Sequence, residues 1–421
     1  MQEFIDAFNV TMFIIFTALY IYQIFYVFVS IFKKPKPFGN DAKLHRYGVI
    51  IAARNEENVI GHLIQSIKSQ NYPSELVDIF VIADNCTDNT AQVSRDAGAI
   101  VYERFNKALV GKGYALDFLY NELERDYGID AYDAYFIFDA DNLLDKNYIS
   151  EMNKTFDAGY RIVTSYRNSK NYDSNWLSAG YSLWFLREAR FINQSRMILG
   201  TSCAVSGTGF MIHSDILKRN GGWKHHLLTE DIEFTVDSVA HGEKIGYASK
   251  AYLYDEQPTK FKQSWNQRLR WSKGFYQVFG NYAADLVKGL FKRRSFACYD
   301  FLMTISPAMF LTIFSLILNI IFLIYGVNSE FYYGNLIKST SLAVFATFFN
   351  FYLVLYMFGL VTTIAERKRI AASTWKKILY TFTFPIFIFT YMPISIAALF
   401  KKVSWTPISH TVAKTIEDIQ S

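Results

Sequence analysis

Cysteine is scarce in this chain. Three thiols, Cys86, Cys203 and Cys298, lie far apart in 421 residues. None has the spacing of a zinc site, and an odd, scattered set makes no disulfide framework. Charge of one sign is also lacking, with a formal net of +5 from 43 basic and 38 acidic side chains. The basic residues gather beside apolar segments and form no basic-aromatic stripe. That fits anionic lipid headgroups and disfavours nucleic acid as a partner. No Gly-x-Gly-x-x-Gly follows the first strand-like run, and no Gly-x-x-x-x-Gly-Lys-Ser/Thr occurs. A dinucleotide fold of the usual kind and a phosphate-loop NTPase are therefore disfavoured. There are no repeats and no low-complexity tracts.

Long apolar runs are plentiful. Residues 10–32 carry no charge and are long enough to cross a hydrocarbon core of about 30 Å. Glu3 and Asp6 precede them, and Lys33-Lys34-Pro35-Lys36-Pro37 follows. The positive-inside rule then puts the N-terminus outside and the following domain in the cytoplasm. A signal peptide is disfavoured, because the run is too long, has no basic leader and precedes no small-residue cleavage site. Apolar density returns at residues 301–325, 342–364 and 378–400. The first two read as a hairpin between basic flanks at 288–294 and 366–377. The third carries Pro385 and Pro393 between Lys376-Lys377 and Lys401-Lys402. A straight span would place the C-terminus outside. A broken or re-entrant helix, the reading adopted, keeps it inside, where protein or a polar cavity must satisfy its backbone. The expected organisation is a membrane helix with basic flank (1–37), a cytoplasmic domain (38–260), interfacial helices (261–296), membrane segments (297–400) and a tail (401–421), in a multi-pass protein of the cell membrane.

The soluble part alternates strand and helix patterns. Residues 47–53 form an apolar run ending in small residues, followed by the polar turn Arg54-Asn55-Glu56-Glu57. Helical spacing over 59–69, a strand over 76–83, a helix over 89–97, a strand over 99–103, a helix over 110–124 and a strand over 134–138 come next. Such alternation predicts an α/β fold with a mostly parallel sheet. Ligands of such sheets bind beyond the carboxyl ends of the strands. Arg54 to Glu56, Asp84 and Asp139 fall there.

Three short motifs carry candidate chemistry. Asp139-Ala140-Asp141 puts two carboxylates at a strand end, where they can share a divalent ion with a diphosphate; strand-end turns also favour Asp. Asp84 reads as a contact to a uracil or ribose edge or as a turn carboxylate. Asp88 reads as a helix cap. Lys112, between Gly111 and Gly113, reads as a phosphate ligand or a solvated lysine. In Thr229-Glu230-Asp231, Asp231 is the candidate base for an attacking hydroxyl, with Thr229 capping the helix that follows. His225 and His226 are adjacent and should point apart, which disfavours a metal site. Gln267-Arg268-Leu269-Arg270-Trp271 lies on an amphipathic helix expected over 261–279. Gln267, Arg270 and Trp271 share one face there, offering a guanidinium fork for a diphosphate and a flat ring for a sugar. A helix lying on the membrane surface would look the same. Ser206-Gly207-Thr208-Gly209-Phe210 allows a tight backbone beside an acceptor or is an ordinary turn.

Taken in order, Ala53-Arg54-Asn55-Glu56, Asp84, Lys112-Gly113, Asp139-Ala140-Asp141, Thr229-Glu230-Asp231 and Gln267 to Trp271 resemble the processive, membrane-integrated family-2 glycosyltransferases, the group of cellulose, hyaluronan, chitin-oligosaccharide and poly-N-acetylglucosamine synthases. The resemblance covers nearly the whole chain. It implies a GT-A fold and inverting transfer from a UDP-sugar with Mg2+ or Mn2+ to a growing glycan at a lipid membrane. It implies that Ala53, Asn55, Glu56, Asp84, Lys112 and Asp139 bind donor. Asp141 would hold the metal and Asp231 would be the base. Glu230, Gln267, Arg270 and Trp271 would line the acceptor and diphosphate site. Ser404-Trp405-Thr406-Pro407 to His410-Thr411 resembles a gating loop, with Trp405 and Thr406 its matching residues and no clear basic match beyond His410 or Lys414. Single-sugar transfer to a lipid, and a transporter with a regulatory domain, are the rival readings.

Overall fold

The computed structural model describes residues 2–39, 41–306, 309–328, 334–406, 410, 412 and 414–420. Eight strands form one sheet: β1 (Tyr47–Ala53), β2 (Val77–Asp84), β3 (Ile100–Arg104), β4 (Ala134–Asp139), β5 (Leu143–Leu144), β6 (Ile162–Ser169), β7 (Phe210–His213) and β8 (Ile245–Asp255). Their order is β3-β2-β1-β4-β7-β6-β8-β5. The half from β3 to β4 is parallel, with Ala53 opposite Ala83 and Ala52 opposite Asp139. Register therefore brings three loops to one edge. β7 is antiparallel to both its neighbours, while β6 and β8 run parallel.

The first helix is α1 (Gln2–Phe32). Within the sheet region come α2 (Ile60–Lys68), α3 (Thr90–Asp96), α4 (Lys112–Asp126), α5 (Tyr148–Asp157), α6 (Trp176–Arg187), α7 (Gln194–Leu199), α8 (Ser214–Asn220) and α9 (Glu230–Ala240). A π-helical stretch, Glu188–Asn193, joins α6 to α7. Then follow α10 (Phe261–Arg293), α11 (Phe296–Ile305), α12 (Met309–Asn328), α13 (Gly334–Ala365), α14 (Thr374–Phe389), α15 (Tyr391–Phe400) and α16 (Ile416–Gln420). Side chains alternate across each strand. On one face Ile50, Ile82 and Ile137 pack with Leu116 and Leu119 of α4. On the other, Val49, Ile51, Phe136 and Phe138 pack with Leu63 of α2 and Met152 of α5.

Among the described residues, four helices are long and apolar enough to cross a membrane: Glu3–Phe32, Phe310–Asn328, Gly334–Ala365 and Thr374–Phe400. Three details differ from the sequence expectation. The last turns of α1 pack on the catalytic unit. Tyr26, Val29 and Ser30 are buried, and the Ser30 hydroxyl donates to the Arg190 carbonyl at 2.6 Å. The expected span over 301–325 is divided into α11 and α12. The motif helix α10 runs on to Arg293, because its apolar face continues to pack through Val278 and Leu286.

The last apolar segment is broken, and the break has a defined cause. Pro393 has no N–H to give the Phe389 carbonyl. At the same break the Phe387 carbonyl accepts from the Thr390 hydroxyl at 2.6 Å and from Arg268 Nη1 at 3.2 Å. Arg268 Nη1 also donates to Thr390 Oγ1 at 2.6 Å. The guanidinium is fully buried, with Phe387 and Tyr391 ring centroids 4.6 and 4.9 Å away. Gly180 lets α6 approach the same place, since a Cβ there would run into the Phe387 ring. Arg268→Met should therefore strip the break of its charged donor, leaving only the Thr390 hydroxyl on the Phe387 carbonyl, and destabilise the fold by about 1–3 kcal/mol, read as a lower unfolding midpoint in detergent. An unchanged midpoint would show that the break holds without it.

Candidate active site

One cleft of about 620 Å3 gathers the strand-end loops, the start of α9, one face of α10 and the C-terminal tail. Ala53, Glu56, Asp84, Lys112, Asp139, Asp141, Glu230, Asp231, Gln267, Arg270, Trp271, Trp405 and Thr406 all line it. Asn55 does not. It is exposed, takes a left-handed conformation with φ of 59°, and accepts the Thr87 N–H at 2.8 Å. Asn tolerates that conformation because its short side chain bonds locally. Its function here is to tie the turn after β1 to the turn after β2.

The acidic groups are held by cations and backbone N–H groups from several elements. Lys112, at the first turn of α4, donates to Asp139 Oδ1 at 2.5 Å and to the Gly207 carbonyl at 2.8 Å. Burial opposes its charge, but Asp139, Glu230 and Asp231 outweigh that and raise its pKa. Asp84 accepts from Arg104 at 2.6 Å and from Asn85 at 3.0 Å through Oδ1. Its Oδ2 has no protein partner among the described residues. Asp139 is fixed from behind, its N–H donating to the Thr208 hydroxyl at 2.9 Å. Asp141 Oδ2 accepts the Glu256 N–H at 2.7 Å. Burial works to raise the pKa of Asp141, but His410, Lys170 and Arg167 hold it below the usual value.

Glu230 and Asp231 open α9 and face Lys112 and Arg270. Burial raises Asp231, while the Ile232 N–H, Lys112 and Arg270 restrain the rise. Burial and then Asp231 push Glu230 up to about 7. The Thr229 hydroxyl does not cap the helix; Thr229 packs against Gly274 of α10 instead. The helix end itself supplies the N–H groups that stabilise a carboxylate.

On α10, Gln267, Arg270 and Trp271 face the cleft together. Arg270 Nη1 donates to the Leu228 carbonyl at 3.0 Å. Trp271 stands edge-on to Tyr181 at 5.7 Å. Three buried polar atoms of the lining, Arg54 Nη1, Thr229 Oγ1 and Gln267 Oε1, have no partner among the described residues. A polar ligand would satisfy them.

The tail crosses the donor end. Trp405 lies over Arg54 at 5.3 Å, and His410 Nδ1 is 2.9 Å from Glu56. Burial opposes the imidazolium, but Asp141, Glu56 and Glu256 hold its pKa at about 10. Lys414 reaches the Lys170 carbonyl at 3.1 Å instead. Pro407 and Thr411 lie outside the described residues.

Other expectations resolve as packing. Gly113 is required because a Cβ would meet the His225 carbonyl. His225 pairs with Asp237 at 2.9 Å and His226 stacks on Tyr114 at 4.6 Å, so the two diverge. Asp88 accepts the Thr90 and Glu57 N–H groups at 3.1 and 3.2 Å, bracing the start of α3. Missed by sequence reasoning were Arg167 and Asp255. Arg167 Nε donates to Asp255 at 2.7 Å, and both line the cleft. Burial raises Asp255 to about 6, Arg167 restraining it and Asp141 adding to it. The Asp255-Glu256 pair ending β8 carries the same strand-end signal as Asp139.

Divalent-metal fit follows from the donor set. Among the described residues no group of three or more His, Cys, Asp or Glu is assembled as a metal site. Asp139 and Asp141 are hard oxygen donors in the cleft. One or two carboxylates completed by phosphate oxygens is how Mg2+ is commonly held, so the residues present fit such an ion.

Residues 45–274 match the family model described as glycosyltransferase like family 2. The chain belongs to that family. This family-2 glycosyltransferase has the GT-A fold. It is 26% identical over 240 residues to a beta-monoglucosyldiacylglycerol synthase of Synechocystis sp., covering 56% of this chain and 48% of the relative. It is 24% identical over 275 residues to a poly-beta-1,6-N-acetyl-D-glucosamine synthase of Staphylococcus epidermidis, covering 63% and 64%. The chain thus spans between about half and under two thirds of the length of these curated relatives. In fold it is similar to a mannosyltransferase of Pyrobaculum calidifontis solved with GDP-Man and Mn2+, with 13% identity, TM-score 0.57 and coverage of 94% and 99%.

Burial raises the pKa of both Asp231 and Glu230, so a reaction that needs Asp231 ionised is expected to show an acid limb above the ordinary carboxylate range. Activity should rise with pH through that limb as Asp231 loses its proton. Glu230→Gln removes a neighbouring negative charge and should move the limb to lower pH in a kcat/KM profile. An unmoved limb would uncouple the pair.

Proposed function

We propose that this chain is an inverting, membrane-bound β-glycosyltransferase. It takes a UDP-activated hexose or N-acetylhexosamine and extends a glycan that leaves through its own membrane helices. The observation carrying this reading is the continuity of the cleft. It runs from Asp84 and Asp139 past Asp231 and Trp271 to Tyr20 of α1 and Met303 and Thr304 of α11. Its membrane end presents Gln23, Trp184 and Tyr276, flat and polar groups suited to sugar rings. A relative named for poly-β-1,6-N-acetyl-D-glucosamine supports the polymer reading.

In the proposed reaction Asp84 contacts the nucleoside and Lys112 and Arg270 meet the diphosphate. An acceptor hydroxyl, placed beside Trp271, attacks the anomeric carbon from the face opposite UDP. Asp231 accepts the hydroxyl proton as the new C–O bond forms and the bond to the β-phosphate oxygen breaks. Inversion of an α-linked donor gives a β linkage. Asp141, with Asp139 beside the donor, would hold Mg2+ or Mn2+, which when bound neutralises charge on the departing diphosphate. Preorganised cations in a cleft sheltered from water do the same from the protein side.

The catalytic domain is assigned to the cytoplasm. Two contacts support a last segment that starts and ends on that side: Lys376 at the start of α14 donates to the Asp173 carbonyl at 2.8 Å, and Trp405 and Thr406, past α15, line the cleft. With His410 on Glu56, the tail is placed to gate the donor. A second reading, one-sugar transfer to a lipid, draws on apolar Ile192, Phe301 and Ile305 along the same cleft and on the relative named for monoglucosyldiacylglycerol.

Purified protein incubated with labelled UDP-sugars should yield long polymer; a single glycolipid band would favour the second reading. Asp231→Asn should lower turnover by at least about 100-fold while UDP binding persists, and near-normal turnover would remove the base assignment. Asp141→Asn should lose the metal-dependent part of UDP affinity in calorimetry; equal affinity with and without Mg2+ in both proteins would remove the metal role.

A further inference from the structure

A second cavity, of about 750 Å3, lies between α1, the end of α7, the loop into β8 and the first turn of α11. One wall is apolar. Ile21 and Phe25 of α1, Leu199 and Phe296 line it, each at least 40% exposed. The opposite rim is polar and carries Thr201, Ser202 and Lys244. The Thr201 hydroxyl oxygen is shut off from solvent and has no hydrogen-bond partner among the described residues. Lys244 forms no ion pair with a carboxylate among the described residues. The rim's own carboxylate, Glu243, is already taken by Arg219 at 2.8 Å. Lys292 and Arg294, just before the lining residue Ser295, also have no carboxylate partner among the described residues.

The cavity's level is fixed by its walls. Before it along α1, Phe13 and Ile14 are 70% and 59% exposed, as a lipid-facing surface would be; after it, Val29 and Ser30 are buried against the catalytic unit. At the cavity itself Tyr22 packs edge-on to Phe296 at 5.7 Å. Apolar surface gives way here to basic protein, the profile of the headgroup layer.

We propose that this cavity binds one anionic glycerophospholipid from the leaflet on the catalytic side. An acyl chain lies along Ile21, Phe25 and Phe296, and the phosphate meets Lys244 and the Thr201 hydroxyl. The site is separate from the acceptor path. Tyr26 is the partition, since it lines both cavities, and its hydroxyl is fixed by Asp300 at 2.7 Å. The inference rests on the reading of α1 and its partners as membrane helices.

The full chain is reconstituted into phosphatidylcholine vesicles holding a minor share of phosphatidylglycerol, then extracted in mild detergent, and retained lipids are counted by native mass spectrometry. Phosphatidylglycerol should be retained at one per chain, well above its share. Lys244→Gln should cut that retention by more than the about fivefold that one lysine carries through general surface attraction. Lys292→Gln, outside the cavity lining, should stay within that factor. Retained lipid that mirrors the vesicles, or equal loss in both variants, overturns the proposal. A chain that never enters the vesicles overturns the membrane reading and the proposal with it, a result distinct from insertion without enrichment.

Discussion

Six carboxylates, those of Asp84, Asp139, Asp141, Glu230, Asp231 and Asp255, are drawn into one cleft largely closed to water, and that concentration of like charge constrains everything around it. A buried carboxylate without a partner costs several kcal/mol. These groups therefore need cationic and N–H partners, and the partners come from elements far apart in sequence. Arg104 ends β3, Lys112 starts α4, Arg167 leaves β6, Arg270 sits on α10, and His410 arrives from the tail. The sheet order, the left-handed turns at Asn55 and Asn85 and the crossing of α10 all serve to bring these five to one place. A donor diphosphate enters the same charge balance as a further anion, which explains why cationic groups ring it and why tail cations occupy its end.

The long apolar helices are joined to this cleft by charge as well as by apolar packing. Arg196 of α7 makes a two-pronged pair with Asp300 of α11, both bonds at 2.8 Å, and Tyr22 and Tyr26 of α1 donate to the same carboxylate. At the other end of the hairpin, Glu366 accepts from Tyr166 at 2.7 Å and pairs with Arg190 and Arg369. Tyr166 is the neighbour in sequence of Arg167. The end of α13 is thus one residue removed from a group that sets the charge of Asp255.

Much of this was legible in the sequence, for a physical reason. A buried parallel strand is a continuous apolar run, so its end is sharp, and the polar residue just past it faces a ligand crevice. That logic located Glu56, Asp84, Asp139 and Asp141, and the three-and-four spacing of a helix located Gln267, Arg270 and Trp271. It failed where one residue type serves two purposes. Asn55 sits at a strand end yet turns away to brace a neighbouring loop, and Gly113 is small because a carbonyl passes it. Arg268 sits among motif residues but faces the opposite side of the same helix. Contacts between elements distant in sequence, such as Arg167 with Asp255, leave no local pattern to read.

The position of Arg268 has a mechanical consequence. One turn of α10 offers Arg270 and Trp271 to the cleft and, through Arg268, anchors the break between α14 and α15. The floor of the cleft and that break are thus pinned to the same rigid stretch of helix by a buried charge, so neither can shift without straining the other.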